Sequence, residues 1–192
     1  MIGAYYTKGL NSNSIFQNFA ISKTSAYSTH LNAHNVCFID MSHTPDACQD
    51  YHSYQNSIIS KLKEDLIEAY PHLSQKEYDS ISYMLRDSGD SFIFILDEWD
   101  SIFYKNFMTQ QDKNAYLSFL KNLLKDQPYV ELAYMTGVLP ITKYSSGSEL
   151  NMFREYNFMN DNIYDIFFGL HEDEVKELCT KHHSVSYDEL AY

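Results

Sequence analysis

Asp97 and Glu98 follow directly on FIFIL, a continuous apolar run, and Trp99 and Asp100 complete the stretch FIFILDEWD. Two adjacent carboxylates at the end of an apolar segment suit a particular chemistry. The first can hold a hydrated magnesium ion, a hard cation that takes oxygen ligands and keeps much of its water. The second can polarise a water that attacks a terminal phosphate. On an extended strand the two side chains would project to opposite sides and serve these targets separately. The plainer account is a strand that simply ends in polar turn residues. Thr136 closes another apolar run, VELAYMTG. Its hydroxyl could sense phosphate and orient water, or merely cap a strand before Gly137.

These residues need elements to hold them. Apolar runs of strand length occur at 35–42, 91–97 and 130–137, with a weaker fourth at 163–168. None alternates strictly, so both faces of a sheet should be covered. Helical patterns lie between them. In 55–70 the set Ile58, Ile59, Leu62, Leu66, Ile67 and Tyr70 makes one apolar face, stopped by Pro71. Residues 74–87 open with Ser74 and Glu77, a capping-box pattern. Residues 112–126 and 171–183 read as two more helices, and 11–33 as two short ones before the first strand. Strands alternating with helices imply a parallel sheet with right-handed crossovers. In such sheets ligands sit beyond the carboxyl ends of the strands, where Asp97 and Glu98 fall.

An apolar strand ending in Asp-Glu is the Walker B pattern of nucleotide hydrolases. Its usual companion, GxxxxGK[ST], cradles the phosphates with backbone N–H groups and a lysine. None of the six glycines begins or ends such a loop.

The order of several stretches carries a resemblance. AYYTKGLNSNSIF, NVCFIDMS, FIFILDEWDS, YLSFLKNLLKD, ELAYMTGVLPITKYSSGSELNMF and FFGLHEDEVKELC resemble the bacterial predicted AAA-ATPase family, whose longer members often carry a nuclease-like domain. The most specific piece is MTGVLPITKYSSGSELNMF. The resemblance covers nearly the whole chain and implies a single partial domain over 1–192. It would be an α/β, three-layer P-loop NTPase-like parallel sheet with helices on both faces. The same resemblance implies that the first strand and phosphate loop belong before IGAYYTKG, so the 192 residues read as an internal piece. The strand order implied is 5-1-4-3-2, and lack of the first strand would leave a slot in mid-sheet that another protein chain could fill.

The implied reaction is magnesium-dependent ATP hydrolysis, with Asp97 for the metal, Glu98 for the water and Thr136 as sensor. ATP and Mg2+ are expected cofactors of the parent, with weak or no binding by these residues alone. Lys143 and Arg154 could contact phosphate or a neighbouring subunit, though solvated surface charge explains them as well. A non-catalytic interaction module derived from such an ATPase is the alternative.

Charge and composition narrow the partners. The formal net charge is -12 and the 14 Lys and Arg are scattered, which disfavours nucleic acid. No apolar run is long enough to span a bilayer. Three distant cysteines form no disulfide framework, in keeping with a reducing, cytoplasmic setting. His30 and His34 stand four apart on an expected helix, a spacing that can suit zinc, but no third ligand accompanies them. Asp40, at the end of the first strand, is a weak candidate for the same cleft as Asp97.

Overall fold

In the computed structural model, residues 1–46, 48–143, 150–157, 164, 170–182, 186 and 187 are described, with Thr142 by its backbone alone. The chain divides into two compact units, Met1–Phe153 and Arg154–Tyr192.

The first unit is built on three strands, β1 (Asn35–Asp40), β2 (Phe92–Asp97) and β3 (Val130–Met135). They pair in the order β1-β2-β3, all parallel, as the alternation of strands and helices predicts. β2 is central, and Phe92 to Leu96 are all buried. Each such side chain contributes about 1.5–3 kcal/mol by leaving water, which fixes β2 as the axis of the unit. Both β1 and β3 end earlier than the apolar runs suggest, at Asp40 and Met135. The expected fourth strand, 163–168, lies outside the described residues except for Tyr164.

One face of the sheet carries the main core. Phe92, Phe94 and Leu96 pack there with three helices, α4 (Tyr51–Ala69), α5 (Ile81–Asp87) and α6 (Gln110–Leu124). Three shorter helices precede these in the chain: α1 (Ile2–Tyr6), α2 (Asn13–Phe16) and α3 (Tyr27–His30). α1 lies over the opposite face, where a Cβ on Gly3 would stand 3.9 Å from Ile95 Cδ1. Around it, part of that face is exposed among the described residues. Phe38, Leu132 and Tyr134 are 58%, 44% and 42% exposed, and the register places Phe38 and Tyr134 on either side of Ile95.

Caps explain where the helices depart from the sequence pattern. α4 begins four residues earlier than expected because Asp50 forms a capping box with Ser53. α6 likewise begins at a box made by Thr109 and Asp112. Ser74 does not cap a helix at all. Pro71 starts a 3-10 turn over Pro71–Gln75, and the Ser74 hydroxyl donates to the Pro71 carbonyl at 2.7 Å. The true cap is Ser80, whose hydroxyl accepts from Tyr83 N–H, so α5 covers only the second half of 74–87.

The second unit contains α7 (Glu172–His182), with Glu172, Asp173 and Glu174 in its first turn and Lys181 and His182 in its last. This charge order favours the helix dipole at both ends. Among the described residues of the whole chain, no helix is long and apolar enough to cross a membrane.

Candidate functional site

Asp97 ends β2, in register with Asp40 at the end of β1. Beyond it the chain does not continue as a strand. Glu98 has φ 50°, a left-handed conformation rare for a residue with a side chain. The alternation of an extended strand therefore stops at Asp97 and cannot orient Glu98. Glu98 heads a tight turn instead, its carbonyl accepting from Ser101 N–H at 2.9 Å. Its side chain is exposed, while that of Asp97 is partly buried.

Thr136 is the residue that joins these two acids. Its hydroxyl donates to Asp97 Oδ1 and accepts from Glu98 N–H at 3.1 Å. Its backbone continues the ladder: Thr136 N–H donates to the Leu96 carbonyl and Trp99 N–H donates to the Thr136 carbonyl, both at 2.9 Å. A single hydroxyl thus acts as donor and acceptor between consecutive residues, a pairing that valine could not make.

Beneath this layer the turn is anchored in the core. Trp99 is 2% exposed and stands edge-on to Phe103, with ring centres 5.6 Å apart, so it packs in the core. The Trp99 carbonyl accepts from the buried Tyr116 hydroxyl of α6 at 2.7 Å. Met41, fully buried, donates its N–H to the Asp97 carbonyl at 2.9 Å, and its own carbonyl accepts from Tyr54 and Ser101 hydroxyls, each at 2.8 Å. Asp100 is 1% exposed and accepts from Val138 N–H at 3.2 Å and Leu139 N–H at 2.9 Å. Gly137 has no room for a side chain: a Cβ would stand 2.6 Å from Trp99 Cδ1 and Nε1 and 2.8 Å from Asp100 Oδ1.

Other candidates fall elsewhere. Asp40 folds back on its own strand end, accepting from Ser42 N–H at 2.9 Å and the Ser42 hydroxyl at 2.6 Å. The hydroxyl chiefly, and the N–H after it, hold its carboxyl below the usual range. Lys143 is exposed at the end of a 3-10 turn, Ile141–Lys143. Arg154 belongs to the second unit, with its guanidinium 5.1 Å from the Tyr156 ring centre. His30 closes α3 and His34 lies beyond it, so the two do not share a helix; their rings stack, with Nδ1 of His30 2.9 Å from Nε2 of His34. Among the described residues, no group of three His, Cys, Asp or Glu is placed to hold a metal ion.

Asp97, Glu98 and Thr136 are therefore brought together by the Thr136 hydroxyl. The supporting residues Asp100, Gly137, Tyr116 and Met41 escaped that reading. The D-x-x-D spacing and the glycine directly after Thr136 were their only local signals.

The model of the predicted AAA-ATPase family matches residues 1–146. The chain belongs to that family. No curated protein and no solved structure matches it. The AAA-ATPase match spans α1 through β3, and with them Asp97, Glu98, Thr136 and Lys143, and it stops short of Arg154.

Proposed function

We propose that Asp97, Glu98 and Thr136 are the Walker B and sensor elements of an AAA-like ATP-hydrolysing domain. One observation carries this reading: the two acids stand at the carboxyl end of a buried central parallel strand, joined by the hydroxyl that ends its neighbour. The order β1-β2-β3 agrees with the 2-3-4 portion of a P-loop sheet and supports the same reading. The donors also suit Mg2+ with ATP, since they are hard oxygens, and magnesium is commonly held by one or two carboxylates together with substrate phosphates.

Bound there, Mg-ATP would supply the phosphoryl group and the cation that offsets its charge. Asp97 would hold the hydrated cation through the carboxylate. Glu98, exposed at the head of the turn, would orient the attacking water and take its proton. Thr136 would keep Asp97 in place and fix the Glu98 backbone through the same hydroxyl. Lys143 stands as a candidate for phosphate contact.

Without a GxxxxGK[ST] loop among its residues, the 192-residue chain lacks the group that supplies most phosphate affinity and much of the electrostatic stabilisation. It should neither bind ATP tightly nor turn it over. Turnover that disappears in Glu98→Gln would sink this part of the proposal. The metal role is tested separately with Mn2+ as a paramagnetic probe. Amide signals of Asp97, Glu98 and Trp99 should broaden, and the effect should vanish in Asp97→Asn, which keeps an acceptor for Thr136 but removes the charge. Broadening that persists in the variant, or centres elsewhere, would remove Asp97 from the metal site.

A second reading is an interaction module, and a specific feature favours it. β3 is the last strand of the sheet among the described residues, and its open edge adjoins the exposed Leu132 and Tyr134. An extended segment of another protein chain could pair there. Tyr134→Lys should then abolish association without lowering the melting temperature; association unchanged by that charge would dismiss this surface.

A further inference from the structure

We infer that Asp100 is the positioning residue of the acid pair, acting through the backbone of the loop that follows β3. This rests on the reading of Asp97 and Glu98 as the metal-holding and water-orienting acids.

Asp100 sits two residues beyond Glu98 yet is almost wholly buried. A carboxylate in that position is tolerated only where hydrogen bonds replace its water. Both oxygens are engaged, Oδ1 by Val138 N–H and Oδ2 by Leu139 N–H. Bonds from two successive amides to one carboxylate fix the orientation of that peptide, because both must be met at once.

The bonded segment, Val138 and Leu139, is joined to Thr136 through only one residue, Gly137. Gly137 passes so close to Trp99 and Asp100 that a Cβ would meet both below 3 Å. The loop is therefore seated on the DEWD turn by contact as well as by hydrogen bonds. Thr136, at the head of the loop, then holds Asp97 and the Glu98 amide. The left-handed Glu98 needs such external support, since its conformation costs about 1–2 kcal/mol relative to the ordinary helical one. Asp100 thus closes a ring: turn to loop through its carboxylate, loop to Thr136 through Gly137, and Thr136 back to the turn through its hydroxyl.

A simple cap would hold Val138 and Leu139 and nothing more. A positioning residue must also govern the Glu98 amide, which it does not touch. Amide hydrogen exchange of the full 192-residue chain separates the two. Val138 is 81% exposed as a residue, yet its amide and that of Leu139 should be protected in the native chain. Asp100→Asn keeps the shape but turns a donor toward one of those amides. Both should exchange at least about tenfold faster in the variant, with the Glu98 and Trp99 amides accelerating alongside, while Phe94 and Leu96 in β2 hold their rates. Thr136→Val should release the Glu98 amide and leave Val138 and Leu139 protected.

Acceleration confined to Val138 and Leu139 would reduce Asp100 to a local cap. Uniform acceleration that includes β2 would make it a general fold residue, and either result overturns the inference. Should Asp100→Asn fail to fold, the native measurement still decides: unprotected Val138 and Leu139 amides refute it. Exchange is read without nucleotide, so a chain that binds no Mg-ATP leaves this test intact.

Discussion

Glu98 is held in a backbone conformation that glycine would adopt without strain, and its side chain is exposed. Nothing about packing calls for a glutamate at such a place. Strain of this kind persists where surrounding bonds over-determine it, here the Thr136 hydroxyl and the turn closed by Ser101. Glu98→Gly should therefore leave the chain as stable or stabilise it by up to about 1 kcal/mol, the relief of strain being partly offset by added freedom in the unfolded chain. A denaturant melt checks this, and a loss of more than that amount would mean that the carboxylate itself holds the turn. Gly137 is the opposite case. Gly137→Ala drives a methyl into the buried Trp99, which cannot swing away because Phe103 stands against it. The expected cost is about 1–3 kcal/mol with a shift in tryptophan emission, a clean signal because Trp99 is the only tryptophan.

Between elements, what joins the sheet end to the helices is a set of tyrosine hydroxyls. Tyr116 of α6 donates to the Trp99 carbonyl, and Tyr54 of α4 donates to the Met41 carbonyl. Tyr51 stands edge-on to Tyr116, with ring centres 6.4 Å apart, but among the described residues its buried hydroxyl finds no hydrogen-bond partner. The same substitution should act in opposite directions at these neighbours. Tyr116→Phe leaves a buried carbonyl without that donor and should cost about 1–3 kcal/mol, whereas Tyr51→Phe removes an unpaired polar atom and should be neutral or stabilising. Equal effects at both positions would refute this division. Such bonds mark what the sequence could and could not disclose. The strands and the long helices were legible because burial imposes a period on the residues themselves. Helix starts at Asp50, Thr109 and Ser80 were not, since a cap depends on which of several polar residues turns its side chain inward. Asp97, Glu98 and Thr136 were legible as strand ends. The left-handed turn and the buried Asp100 were not, because both arise from contact between segments about 40 residues apart.

For the molecule as a whole, the tyrosine-rich composition becomes a dependence on alkaline pH. There are 17 tyrosines, and several lie within the first unit's core. Burial is the leading cause that raises the phenols of Tyr51, Tyr54 and Tyr116 well above their ordinary value of 10.0. Burial, aided by the hydrogen bond to Asp90, pushes Tyr70 up to about 12. In the unfolded chain each of these phenols loses its proton near pH 10, while in the folded chain it keeps it to higher pH. Unfolding therefore releases protons across that interval, so stability is full below pH 10 and falls as pH rises through the folded values. The net charge of -12 works in the same direction, since further ionisation adds like charge to an already acidic molecule. The melting temperature should be nearly flat from neutral pH to about pH 9 and then drop steeply; the phenols exposed to solvent ionise first, and the remaining tyrosinate absorbance should rise together with loss of helix. Tyrosinate beyond the share of the exposed phenols that appears well before any unfolding would show that the buried phenols are reached by solvent in the native state. Tyr54→Phe offers a further check: the variant should lose stability at neutral pH with its hydrogen bond to Met41, yet decline less steeply between pH 10 and the native value of that phenol. A decline as steep as the native chain's would remove Tyr54 from the groups that set the alkaline limit.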